Sequence, residues 1–324
     1  MHNRWPTKIK APICAAIWIL ICLFSVASCI DDPDEITTTT PLPPHAHDMS
    51  ESDDDPPEDY EEAFSHSSVL SYSTPFSASP PIVNDSSGRI PGVPLRLASP
   101  YSVDDDGALR MAAADEGNDG GHASSQPDVD LPGYFIQYLG GDYDFTVEFF
   151  VHTGGMTFHG DMADAALVFS VAKPGSDSFL SAGFHQIDGE IHTQLRLPDQ
   201  TLGDPLYVSS YDVYLDRHHH IAFVYHARYN DMTVYVDGHR VSSQAYHRYS
   251  TVAPPEPLDR LPYPLFGDFD AGNRLAVGNR PGPYDRYFSG AIYHLGFHDR
   301  AWDAAAVAEM NKLHRERFCG SEGC

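Results

Sequence analysis

An all-β antiparallel sandwich with one short C-terminal helix, preceded by a disordered acidic segment, is the fold class that three observations predict. The first is the stretch 216–241, DRHHHIAFVYHARYNDMTVYVDGHRV. Its β-rich runs Ile221–Tyr225 and Met232–Val236 flank the turn pair Asn230-Asp231, and Asp237-Gly238 returns the chain through His239–Val241. Asp-Gly supplies the positive φ angles of a two-residue hairpin turn, so the stretch reads as a three-stranded meander. The first run is apolar on both alternating faces, as in a strand covered on each side. The second observation is a run of short strands at roughly ten-residue intervals: 107–111, 134–139, 144–153, 167–172, 179–185, 191–197, 207–209, 275–278 and 291–298. The third is that helical patterning is confined to the end, where Asp303 caps a short helix whose Trp302, Val307 and Met310 suit packing on a sheet.

Charge bounds the function classes. The 324 residues carry 20 Lys and Arg against 46 Asp and Glu, a formal charge of −26. Such a chain repels polyanions, which excludes a nucleic-acid partner. Residues 31–130 hold 22 acidic side chains against three basic ones, and residues 31–98 are rich in Pro, Ser and Thr. That composition buries too little apolar surface to offset chain entropy. Residues 30–105 therefore read as a disordered stalk, with Asn84-Asp85-Ser86 as a glycosylation sequon and Ala112–Pro132 as a mobile Gly- and Ser-containing insertion.

Residues 1–29 form a targeting segment. Arg4, Lys8 and Lys10 precede the apolar run Ile13–Val26. Three readings stay open: a cleaved signal peptide, an uncleaved anchor over residues 11–30, and a lipoprotein box ending at Cys29. All three export the rest, placing it outside the cell as a secreted or surface-held protein that meets a membrane only through its N-terminus. The five cysteines then leave Cys319 and Cys324, after the last predicted helix, as a pair closing a small C-terminal loop over 319–324.

Motif order adds a family resemblance. His219-His220-Ile221-Ala222 followed by Tyr235-Val236-Asp237-Gly238 resembles the "WHHVA…LYVDG" pattern of laminin-G-like domains in the concanavalin A-like lectin/glucanase superfamily. Asp144–Val151 resembles their "FTVEFWV" strand, Leu275–Gly278 and Phe288–Phe297 their "L-x-I-G … F-x-G-x-I-D-E-V", and Arg300–Met310 their terminal segment. His218 and Phe150 stand where the family has Trp. The resemblance implies a jelly roll over residues 106–318.

Four chemistries are weighed. Relatives that hydrolyse glycosides carry Glu-x-Asp-x-x-Glu on one strand. Neither Glu148 nor Glu190 has an acidic residue two or five positions on, which leaves only a pairing of these two across strands. In the triple histidine, His218 and His220 share a strand face and His219 opposes them, so a transition-metal site needs a third ligand such as His192, His226 or His247. The resemblance implies calcium at a sandwich rim, for which Asp268, Asp270 and Asn273 offer oxygen ligands in one Gly-containing loop, with Asp161 and Asp164 a second rim pair. Sugar binding calls for loop aromatics beside polar groups: Tyr211, Tyr214, Tyr229 and Tyr287, and above all the loop of Asn279, Arg280, Tyr284, Asp285 and Arg286. The expectation is a non-catalytic lectin-like module that recognises a glycan or glycoprotein. The rival is a structural or protein–protein role in a surface layer without sugar binding.

Overall fold

The computed structural model describes residues 68–76, 82–83, 86, 94–98, 101–111, 122–125, 144–156, 166–172, 179–187, 190–197, 206–241, 243–247, 274–278 and 288–320. Chain order begins with β1 (Ser68–Ser73), β2 (Ile82–Val83), β3 (Leu95–Ala98), β4 (Tyr101–Val103), β5 (Leu109–Met111) and β6 (His122–Ser125). The longer strands β7 (Phe145–His152), β8 (Ala166–Ala172), β9 (Phe179–Ile187), β10 (Glu190–Leu197), β11 (Leu206–Val213) and β12 (His218–His226) follow. The meander ends with β13 (Asp231–Val236), β14 (His239–Val241) and β15 (Ser243–His247). Last come β16 (Arg274–Val277), β17 (Ala291–His298) and helix α1 (Ala304–Cys319).

These strands make two antiparallel sheets. The front sheet runs β14-β13-β12-β7-β17-β5-β4, with β1 also paired to β17. The back sheet runs β15-β11-β10-β9-β8-β16-β6-β3-β2. β17 pairs with β7 along one edge and shares its other edge between β5 at Ala291–Ile292 and β1 at His294–His298.

Alternation decides what each strand contributes. On β7, Phe145, Val147, Phe149 and Val151 join the core between the sheets. There Phe149 meets Phe184 edge-on at 5.9 Å, and Phe169 meets Phe297 at 5.1 Å. Each such fully buried ring contributes about 1.5–3 kcal/mol relative to exposure. The opposite face of the front sheet is also covered. Ala222, Val224 and Tyr235 pack with Trp302, Val307 and Met310 around α1, as the two-sided apolarity of β12 implies. Asp303 caps the helix, its Oδ1 accepting from the Ala306 amide at 2.7 Å.

The Asp237-Gly238 turn takes the expected backbone, and the other turn spans 227–230, so that Asp231 already opens β13. Asn230 has φ 51°, and Asp237 and Gly238 have φ 54° and 81°. Three expectations are corrected. The segment 30–105, read as unfolded, contains β1–β4, with Val69, Leu70 and Tyr72 buried in the core. Its composition is polar on average, but the SVLSYS run pairs its backbone with the free edge of β17 and turns Val69, Leu70 and Tyr72 into the core, and an average hides that. The insertion 112–132 contributes β6, which pairs with β3 and β16. The helix is longer than expected at 16 residues, so Cys319 is its last residue and not part of a separate tail. Cys324 and the targeting segment 1–29 lie outside the described residues, as do Asn84 and the strand expected over 134–139. Among the described residues no helix is long and apolar enough to cross a membrane.

A chain beginning at residue 106 lacks β1–β4 and uncovers the β17 edge. It is expected to show a lower urea midpoint than the full chain, or no cooperative transition. Equal midpoints would mean that β1–β4 contribute nothing. In the back sheet, burial and the neighbouring His192 push the His185 imidazole down to about 3. Unfolded histidine titrates near 6.5, so between about pH 6.5 and 3 the unfolded chain takes up a proton that the folded chain refuses. His185 therefore lowers stability as the pH falls through that window, by about 1.4 kcal/mol per pH unit. Urea midpoints measured against pH are expected to fall less steeply, by about one proton, for His185→Gln than for the parent.

Candidate functional site

The motif that marks the family is a clamp on the helix. Asp237 Oδ1 accepts from the His220 amide at 3.0 Å and from Arg315 at 2.9 Å, and its Oδ2 lies 2.9 Å from His219 Nδ1. Burial opposes its ionisation, but the His219 hydrogen bond and charge, the His220 amide and Arg315 hold its carboxyl below the usual range. Asn311 of α1 donates to the Asp237 carbonyl at 3.0 Å. A side chain at Gly238 would press on Ala308 and Asn311, so Asp-Gly serves both the turn and the helix seat.

Beneath that helix lies the densest polar cluster among the described residues. Glu148 points outward from the middle of β7, opposite the core, and is fully buried. Its Oε1 lies 2.7 Å from His294 Nε2 and 3.4 Å from His298 Nε2. Its Oε2 lies 2.9 Å from both His220 Nε2 and His314 Nε2. The partners arrive from β12, β17 and α1. Two local features make room. A bulge between Ile292 and His294 turns both Tyr293 and His294 toward the helix side. Gly296 stands opposite Glu148. A Cβ there would lie 2.7 Å from Glu148 Oε1, 2.8 Å from His298 Nε2 and 2.9 Å from His294 Nε2.

Electrostatics follow from the burial. Desolvation would raise the Glu148 pKa, but His294, His314 and the hydrogen bonds from His220 and His294 bring it well below the usual carboxylate range. Burial outweighs Glu148 at His314 and pushes that imidazole down to about 3. An ionised carboxylate buried in the interior is tolerated only when hydrogen-bonded all round, and four imidazoles provide that.

The triple histidine divides as strand alternation requires. His218 and His220 face the helix, and His219 turns to Asp237 and the Tyr214 loop. His218 stacks on Phe150 at 5.8 Å, and Phe318 closes over Phe150 at 5.5 Å. The two positions where Trp was expected thus sit side by side and repack one aromatic cluster. Desolvation and the neighbouring His152 push His218 down to about 4.

The other sequence candidates separate. His192 lies in the back sheet opposite His185, and His226 ends β12 far from His218, so neither joins His218 or His220. The side chain of His247 is outside the described residues. The histidines that share Glu148 with His220, and that sequence reasoning missed, are His294, His298 and His314. Their one signal is the outward alternation His294-x-Gly296-x-His298 beside the Glu148 strand. Glu148 and Glu190 stand in different sheets, and Glu148 points away from the back sheet, so the carboxylate pair across strands does not form.

At the sheet ends, Tyr214, Leu215 and Tyr229 are the exposed large apolar side chains among the described residues. Arg217 lies 5.3 Å over the Tyr214 ring and Arg228 lies 5.5 Å over Tyr229. These pairs occupy opposite ends of β12, so they do not form one site. Tyr211 lies within β11 and not in a loop. Asn279, Arg280, Tyr284, Asp285, Arg286 and Tyr287, and the calcium candidates Asp268, Asp270 and Asn273 with Asp161 and Asp164, lie outside the described residues.

With this geometry in place, similarity to known proteins defines the class. The laminin-G profile of the concanavalin A-like lectin/glucanases superfamily matches residues 117–258. That stretch is similar to the family, and the two antiparallel sheets are those of a concanavalin A-like β-sandwich. The crystal structure of a receptor binding domain is similar at a TM-score of 0.50 and 10% identity, covering 79% of this chain and 53% of that one. The binding domain of botulinum neurotoxin serotype D/C is similar at 0.49 and 10%, covering 77% and 53%. Domain 4 of AbnA, a GH43 extracellular arabinanase from Geobacillus stearothermophilus in complex with arabinotriose, is similar at 0.46 and 16%, covering 76% and 98%. This chain thus spans about half the length of the two binding domains, and the likeness is one of fold. Comparison with curated protein sequences gives no match.

Gly296→Ala is expected to destabilise the protein by about 1–3 kcal/mol, because the added methyl displaces the Glu148 carboxylate or its histidines. A urea midpoint unchanged from the parent would show that the cluster yields freely.

Proposed function

We propose that this module is a non-catalytic recognition domain for a glycan or glycoprotein outside the cell. The observation that carries the reading is the Tyr214-Leu215-Arg217 turn, which places an aromatic ring, an aliphatic side chain and a guanidinium together in solvent at a sheet end. Sugar and protein ligands are both read by this combination of apolar surface and fixed polar donors. The lectin-like fold supports it, and a domain named for receptor binding shares that fold. The burial of Glu148 beneath α1 weighs against a hydrolase, since no substrate reaches that carboxylate.

Three expectations join the proposal: calcium held by Asp268, Asp270 and Asn273, sugar contacts from the Asn279–Arg286 loop, and closure of Cys319 on Cys324. The rival protein–protein reading calls for an apolar patch on a sheet face. The exposed large apolar side chains among the described residues all lie in strand-end turns.

The test is a glycan array probed with the full chain, with and without added calcium, followed by affinity measurements on variants. Binding to one sugar class is expected. Tyr214→Ala is expected to weaken it roughly five- to tenfold, since an aromatic contact contributes about 1 kcal/mol. Loss of calcium dependence in Asp270→Ala would support the metal loop. Silence of a folded protein on the array would move the assignment to the protein–protein role.

A further inference from the structure

We infer that the Glu148 cluster is a binding site for a divalent transition ion of the zinc class, with Glu148, His294 and His314 as its core ligands. The three ligand atoms all lie within 4.8 Å of one another. Glu148 Oε1 lies 2.7 Å from His294 Nε2 and its Oε2 lies 2.9 Å from His314 Nε2, so both imidazole nitrogens sit beside the one carboxylate and each contact opens by a few tenths of an ångström to admit an ion. Ligands about 2.0–2.2 Å from such an ion stand about 3.3 Å apart. Imidazole and carboxylate together are the donor set that suits zinc and its neighbours in the first transition row.

Two further observations point to an ion. A Cβ built on Gly296 falls within 3 Å of Glu148 Oε1, His294 Nε2 and His298 Nε2, so three donor atoms ring a space that the missing side chain leaves free. Ser73 Oγ lies 2.5 Å from His294 Nδ1, behind the nitrogen that faces Glu148. A partner on the distal nitrogen is how a ligating histidine is held in the correct tautomer and orientation. His298 Nε2, 3.4 Å from Oε1, stands nearest to a fourth position. His220 is the weaker ligand because its buried Nδ1 has no hydrogen-bond partner, and it serves instead as a donor to Oε2.

The partners recorded for the Glu148 carboxylate are all histidines. A bound dication would balance the buried carboxylate directly. With ligands drawn from β7, β17 and α1 and all three side chains buried, the ion is structural: it fastens the C-terminal helix to the outer face of the front sheet.

The test uses the full chain stripped with a chelator and titrated with zinc or cobalt, after circular dichroism has shown that it remains folded. One equivalent is expected to bind, with cobalt giving the visible absorption of a four-coordinate site. His294→Ala and His314→Ala are each expected to weaken binding by more than about 100-fold, since loss of an outer-shell partner alone costs 10–100-fold. His239→Ala, at an exposed strand position, is expected to leave it unchanged. A second readout needs no variant: hydrogen exchange across residues 304–319 is expected to slow on adding zinc. A folded chain that takes up no ion, or whose uptake survives in the His294→Ala/His314→Ala double variant, would overturn the assignment. Unchanged exchange across the helix would do the same for the fastening role.

Discussion

An ionised carboxylate in the middle of a buried strand is the constraint around which the outer half of this molecule is arranged. Glu148 occupies a position where sheet packing alone asks for an apolar residue, and removing it from water is costly unless all of its acceptor sites are filled. The filling comes from three directions. β12 supplies His220, β17 supplies His294 and His298, and α1 supplies His314. The β17 bulge, the absent side chain at Gly296 and the long C-terminal helix all follow from bringing four imidazoles to one point.

The same helix explains why the family motif looks as it does. Asp237 ties the β12 entrance to Arg315, and Gly238 lets the helix lie close against the turn. The hallmark residues of the meander are thus occupied in joining helix to sheet. The aromatic positions that depart from the family pattern, Phe150 and His218, are covered by the last turn of the helix, where Phe318 packs. Both of these positions fall within one contact cluster.

Exposed apolar surface, among the described residues, is left to the strand-end turns. Both faces of the front sheet are covered, so the exposed aromatic–arginine pairs of the described residues sit at either end of β12, about 25 Å apart along a nine-residue strand. A ligand of ordinary size meets one of them and not both.

The sequence by itself determined the β class, the meander, its positive-φ Asp237-Gly238 turn, the helix cap and the order of the family motifs. Each depends on a local rule: two-residue alternation, the φ freedom of Asn, Asp and Gly, or a side chain accepting from an amide three residues on. The same local reading divided the triple histidine between two faces correctly. It failed for β1–β4, where an acidic average concealed a short alternating strand that is stable only against the β17 edge. It failed again for the Glu148 cluster, whose partners lie 72 to 166 residues away along the chain. Only the tertiary structure decides such a site, because nothing local distinguishes a histidine that will meet a buried carboxylate from one that will face water.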